Sequence, residues 1–429
     1  MSVASASGNR TAAAYATVLF IASMATLVQA YVTIKLTLLL LFLACAAVLV
    51  AKQRRSIVFP RLIAFYLAVA VAGIVWSIVG LLNPGTFVAG VYDALRLYGI
   101  WSLAFLILFS LLRALPSLRA VHYAMVLAAV LIALINFVAL ADQILRLGLL
   151  SDSVRVQMEL YVGIHDGYVQ ITSNNIGALF MIVPYLLAIE LRADADSVND
   201  RWTRLALVLS LLISVASGRR ALWLVIALTP FTLLALAYLT GSVHLLKRWG
   251  RRLVWTYAVA AIVGVTFFIV TPRGIPTFGF VDRVKEGFSS QDERSIQKPF
   301  LTAGFAEKPL LGTGFGAAAG YLRDYERPWT GYELTYYQLA FNLGIVGYAV
   351  LLALFGGYFV LAVRNLRKLG AGSAIPFGLL MAFASQLVGA YSNRYFGSFD
   401  LLFFVGFLPY LASLGEGAHE VAEPVPQPL

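Results

Sequence analysis

The feature that most constrains this chain is a succession of apolar runs, each close to twenty residues long, separated by short segments that hold most of the charge. A helix rises about 1.5 Å per residue, so such a run matches the roughly 30 Å hydrocarbon core of a bilayer. Approximate spans fall at 11–31, 34–51, 61–82, 91–112, 120–142, 175–191, 202–217, 221–240, 253–271, 333–363, 375–392 and 399–414. The chain is 60% hydrophobic and 12% charged, with mean hydropathy +0.83. A soluble domain has about 45–50% apolar residues, so the excess must be covered by lipid. The expected fold is all-α: a polytopic transmembrane helix bundle of about twelve helices with a large, partly helical periplasmic loop.

The net charge of +11 could suggest nucleic acid, but the basic residues sit beside apolar runs: Lys52, Arg54 and Arg55; Lys247, Arg248, Arg251 and Arg252; Arg364, Arg367 and Lys368. This is the positive-inside pattern, with the cations meeting an anionic leaflet. Nucleic acid is not an expected partner; membrane lipid is. With the N-terminus inside, the inner loops also take Arg61, Arg113, Arg119, Arg192, Arg201 and Arg204. Lys35, near an outer connection, is expected to snorkel. Both termini then lie inside, and the first run is read as an uncleaved span, not a signal peptide. The one cysteine, Cys45, and the four scattered histidines offer no disulfide framework and no metal-ligand spacing. No cofactor is expected.

Residues 1–271 carry nine spans and an outer loop at 143–174, residues 272–332 a large outer loop, residues 333–414 three more spans, and residues 415–429 a disordered tail. The large loop mixes eight basic with seven acidic residues and holds recurring aromatics, Phe300, Phe305, Phe315, Tyr321 and Trp329 among them. That mixture reads as an ordered lid with short helices. In the first loop, Ser173 or Asn174 is a good N-cap for the sixth span, and His165 is a candidate proton carrier.

Unusual charge concentrates at the expected outer ends. Ser217-Gly218-Arg219-Arg220 puts two arginines on the side where positive-inside patterning disfavours them. Paired guanidinium forks there suit a diphosphate; interfacial snorkelling is the plainer alternative. Asp93 and Arg96 share a helix face and could pair or contact substrate. Arg394 and Asp400 flank the last two spans. Glu333 is placed where the tenth span opens, which favours a carboxylate. Pro309-Leu310-Leu311-Gly312-Thr313-Gly314-Phe315-Gly316 lacks the lysine and helix context of a phosphate loop, and a glycine-rich turn explains it as well.

Three features follow one another along the chain: Ser217-Gly218-Arg219-Arg220, then Glu307-Lys308-Pro309 through Gly316, then Tyr337 through Gly347, which ends Gly344-Ile345-Val346-Gly347. In order, spacing and topology this resembles the O-antigen ligase and O-antigen polymerase superfamily, membrane glycosyltransferases of bacterial surface polysaccharide. The resemblance is strongest over residues 202–363; upstream it rests on hydropathy and on Ser173-Asn174-Asn175. It implies an inner-membrane enzyme with its active site facing the periplasm. The donor would be an undecaprenyl-diphosphate-linked oligosaccharide and the acceptor a glycan or a lipid, with no metal or nucleotide sugar required. A chain-length regulator or other assembly proteins would be partners. Where the ligases commonly carry histidine, counting back from Gly347 finds Glu333, which favours a repeat-unit polymerase or a divergent ligase using carboxylate chemistry; a ligase transferring the glycan to lipid A-core is the runner-up. On this reading the candidate catalytic residues are Glu333 and Arg219, and the candidate substrate-binding residues are Arg220, Arg96, Asp93, Arg394, Gly312, Gly314, Gly316 and Tyr336. A lipid-linked oligosaccharide flippase is the alternative from another class, but no internal repeat is visible and the odd charges sit at span ends, not at the midplane.

Overall fold

The computed structural model describes residues 3–115, 118–165, 168–192, 198, 200–246, 293–320, 329, 332–370, 373–391 and 397–416. Over these residues the protein is helical almost throughout. The helices are α1 (Val3–Thr26), α2 (Val32–Gln53), α3 (Pro60–Leu81), α4 (Val88–Ala94), α5 (Trp101–Ala114), α6 (Leu118–Leu145), α7 (Asp152–Gln157), α8 (Leu179–Glu190), α9 (Arg201–Ala216), α10 (Arg220–Leu239), α11 (Glu293–Glu307), α12 (Thr335–Leu369), α13 (Ala374–Ala390), α14 (Phe399–Val405) and α15 (Phe407–Ser413).

Six stretches are long and apolar enough to cross a membrane: Val32–Gln53, Pro60–Leu81, Val88–Ala114, Leu118–Leu145, Ala221–Leu239 and Thr335–Leu369. Shorter apolar helices cover Thr11–Thr26, Asn174–Glu190, Ala374–Ala390 and Phe399–Ser413. The described residues thus form an all-α protein with little sheet, whose long apolar helices are those of a membrane protein. Eleven of the twelve runs read from the sequence coincide with helices; the run at 253–271 lies outside the described residues. Exposed Leu, Ile and Val along α2, α3 and α12 form the surface that lipid would cover. The core gathers where α13 packs on α8, α1 on α6 and α2, and α6 on α9.

The small β-element went unanticipated. A hairpin pairs Tyr161–His165 with Tyr168–Thr172, in register Tyr161 opposite Thr172, inside the 143–174 loop.

The expected basic ends are packed together. Arg55 donates to Ala114 O at 2.8 Å, and Arg61 to Ala412 O at 2.8 Å. Arg113 donates to Leu414 O and Glu416 O, at 3.3 and 3.0 Å. Guanidinium groups thereby satisfy carbonyls left over at helix C-termini, where the helix dipole also favours them.

The tenth run is two helices end to end. Within α12, Gly344 adopts φ 60°, ψ −170°, and breaks the helix. A break inside a bilayer leaves backbone groups unpaired, at several kcal/mol each. Here the glycine-rich loop takes them up. Pro309 O and Leu310 O accept from Ile345 N and Val346 N at 2.8 and 3.0 Å. Thr313 N and Gly314 N donate to Phe341 O and Asn342 O, each at 2.9 Å. The indole N–H of Trp76 donates to Leu343 O and Leu311 O, both at 2.9 Å.

Candidate functional site

The end of the bundle where α2 and α12 begin holds a polar chamber of about 550 Å³. Its walls come from the end of α1, the start of α2, α4 with the turn that follows it, the first half of α12, and the start of α14. Among the described residues, two ion pairs sit on its lining. Lys35 Nζ donates to Asp400 Oδ1 at 2.6 Å, and Asp400 Oδ2 also accepts from Gln29 N at 2.8 Å. Both side chains are buried, 9% and 3% exposed, so Lys35 does not snorkel as its position near a helix end suggested. Arg96 Nη2 donates to Asp93 Oδ1 at 3.1 Å, the expected pairing across one helical turn, and this pair is more open. Asp93 Oδ2 accepts from Trp329 Nε1 at 3.2 Å.

Arg96 lies in a π-helical turn, Leu95–Ile100, that interrupts the expected fourth span. Such turns are rare and concentrate at functional sites. Trp329, Trp101, Tyr98, Phe315 and Phe399 supply aromatic surface, while Gln338, Asn342, Thr335 and Ser398 supply polar groups. Asn342 is 7% exposed, and its Oδ1 has no hydrogen-bond partner among the described residues.

An apolar chamber of about 350 Å³ lies alongside, lined by Phe65, Trp76, Phe105, Tyr348, Leu351 and Phe355 among others. Tyr98, Phe315 and Leu339 belong to both linings.

Of the residues singled out from the sequence for their charge or as site candidates, Asp93, Arg96, Gly316 and Asp400 line the polar chamber. Tyr336 lines the apolar one, its hydroxyl donating to Leu387 O. Gly312 and Gly314 line neither. Their φ values of +70° and +75° and their neighbours define their work: a Cβ on Gly312 would fall 2.5 Å from Asn342 O, and one on Gly314 would fall 2.0 Å from Gly80 N. The N–H groups of Gly312, Thr313, Gly314 and Phe315 are taken by Lys308, Phe341, Asn342 and Trp76 carbonyls. None is left to cradle phosphate, so this segment is a packing joint.

Glu333 and Arg219 also stand outside both linings. Glu333 precedes the helix, which begins at Thr335, instead of opening it. Its Oε2 accepts from Arg294 Nε at 2.9 Å and its N–H donates to Gln297 Oε1 at 2.9 Å, so it ties α11 to the start of α12. Next to it, Tyr332 is buried with its hydroxyl accepting from Ala319 N at 2.7 Å. Burial pushes that phenol's pKa up, and the Ala319 N–H pulls the other way.

Arg219 Nη2 donates to Ser173 O at 3.1 Å. Ser173 precedes the first turn of the sixth run without capping it by its side chain. Its hydroxyl instead joins a buried cluster, 2.9 Å from Asn136 Oδ1 and 2.6 Å from Asn175 Oδ1. Arg220 opens α10, but its side chain, the His165 side chain and all of Arg394 lie outside the described residues. Sequence reasoning overlooked Lys35, Gln338 and Asn342 as chamber residues. Lys35 and Asp400 are 365 positions apart, and no local pattern links them. No known protein-family model and no curated protein sequence matches this chain.

Proposed function

We propose that this protein is a membrane glycosyltransferase that extends a bacterial surface polysaccharide from an undecaprenyl-diphosphate-linked donor, as a repeat-unit polymerase. The observation that carries the reading is the pairing of a polar, aromatic-lined chamber with an apolar one across a shared wall. A lipid-linked glycan needs one compartment for its sugars and another for hydrocarbon. The order of the arginine, glycine-loop and Gly-Ile-Val-Gly motifs supports the same class.

In this proposal the chain crosses the inner membrane twelve times with both termini inside, and the chamber opens to the periplasm. That orientation puts Lys52, Arg113, Lys247 and Lys368 at the cytoplasmic ends. An acceptor hydroxyl attacks the anomeric carbon of the donor; the new glycosidic bond forms as the bond to the lipid diphosphate breaks. Asp93 is the accessible carboxylate on the chamber lining, so it takes the hydroxyl's proton. Arg219 and Arg220 neutralise the departing diphosphate. Glu333, tied to Arg294, braces the lid helix.

The glycan ladder of a deletion strain tests the class. A polymerase leaves single repeats on the core and no long chains. Loss of every repeat, with lipid-linked polymer accumulating, means a ligase; lipid-linked units trapped inside mean a flippase.

A further inference from the structure

Among the described residues, the two cations on the polar chamber's lining are already matched by carboxylates. Lys35 is held by Asp400 at 2.6 Å and Arg96 by Asp93 at 3.1 Å, which leaves the quartet with no net charge. A diphosphate site needs an excess of positive donors, and one here would have to draw its donors away from existing partners. What the chamber does offer is different. Trp329 and Trp101 give flat apolar surface, while Asp93, Gln338 and Asn342 present planar polar groups on the same lining. Gln338 is half-buried on this lining, and its Nε2 donates to Trp329 O at 3.4 Å, which ties its amide to the residue that carries the indole.

A sugar ring has complementary chemistry. Its C–H face is apolar and suits an indole, and its hydroxyl rim both donates and accepts. Trp329 is fixed for this role: its N–H is bonded to Asp93, and its ring packs against Gly90, where a Cβ would come within 2.5 Å of Cγ. The volume, about 550 Å³, lies within the roughly 300–1,000 Å³ of small-molecule sites.

We infer that the polar chamber is a subsite for uncharged saccharide, with Trp329 and Gln338 as its specificity-determining residues, and that the four paired charges on its lining do not bind the diphosphate. The inference rests on the glycosyltransferase reading for why a glycan is present, but the binding itself is measured without catalysis.

The experiment uses the full chain in nanodiscs and saturation-transfer NMR. The probes are the one-repeat glycan, freed from its carrier by mild acid, and geranyl diphosphate. The glycan should bind saturably and with little dependence on salt, since no net charge is involved. Geranyl diphosphate should not displace it. Trp329→Ala and Gln338→Ala should each weaken glycan binding about tenfold or more, the loss of roughly 1.4 kcal/mol. Trp329→Phe, which keeps a ring, guards against misfolding and should bind between the two. Displacement by geranyl diphosphate, steep salt dependence, or unaltered binding in both Ala variants overturns the subsite. Glycan binding by a protein that fails to lengthen chains leaves the subsite standing and removes only the polymerase reading.

Discussion

Replacing Gly314 by Ala tests whether the glycine-rich segment is a joint between helices. Gly314 has φ +75°, and a left-handed conformation costs an L side chain about 1–2 kcal/mol. The added Cβ would lie 2.0 Å from Gly80 N, 2.3 Å from Gly80 Cα and 2.7 Å from Val79 C, all backbone atoms that cannot swing aside. Overpacking of this kind costs about 1–3 kcal/mol. Any shift that relieves it pulls Gly314 N from Asn342 O and Phe315 N from Trp76 O, at about 1 kcal/mol or more each. The total is about 4–7 kcal/mol. Gly85 supplies the control: its φ is +78°, but a Cβ there would meet nothing within 4 Å. Gly85→Ala should therefore cost only the conformational part, about 1–2 kcal/mol. Thermal unfolding of both variants in detergent, with the wild type alongside, separates the two contributions. Gly314→Ala should melt well below Gly85→Ala. If the two melt together, the interlock with α3 contributes nothing and the account of the motif as a joint is wrong.

Three other substitutions address the charges. Lys35→Met strands Asp400 in a buried site and should cost about 3–5 kcal/mol, whereas Lys35→Met with Asp400→Leu should recover most of it, because a buried pair can often be replaced by apolar groups; equal losses in single and double variants on thermal denaturation would remove the pair from the stability account. Arg219→Ala should slow chain extension by about 30- to 1,000-fold, with Lys rescuing only partly because a point charge cannot replace a planar fork; wild-type polymer from Arg219→Ala in a rate assay would transfer the diphosphate to other residues. Glu333→Gln should change the rate only a few-fold, since a half-exposed pair with Arg294 is worth about 1 kcal/mol or less; a loss of about 100-fold with unchanged melting would make Glu333 the general base.

The helices were legible because each apolar run has the length lipid demands, and that demand is local to the run. The gathering of Arg55, Arg61 and Arg113 at one end of the bundle follows from the same patterning. The break at Gly344 was not legible. A glycine within an apolar run is tolerated in many membrane helices, and only its partners at residues 309–314 show that the helix stops there. The π turn at Leu95–Ile100 contains Gly99, but one glycine in an apolar run does not mark a π turn. The hairpin at 161–172 was legible and overlooked: Asp166-Gly167 between two runs rich in Tyr, Val, Ile and Thr is a two-residue hairpin signal. The candidate site was half visible. Asp93 and Arg96 announced themselves as charges three apart in an apolar run. Asp400 was noted but not its partner, and the link from Glu333 to Arg294 crosses from one expected element to another. Contacts between distant segments are set by packing, which hydropathy does not encode.

The most direct test of the central claim is reconstitution. The purified protein, placed in liposomes with lipid-linked single repeats as sole substrate and no metal or nucleotide sugar added, should build a ladder of longer lipid-linked glycans. One undecaprenyl diphosphate should be released for each bond formed. Wild-type protein that leaves the single repeats unextended, while a thermal melt shows it folded, would contradict the assignment.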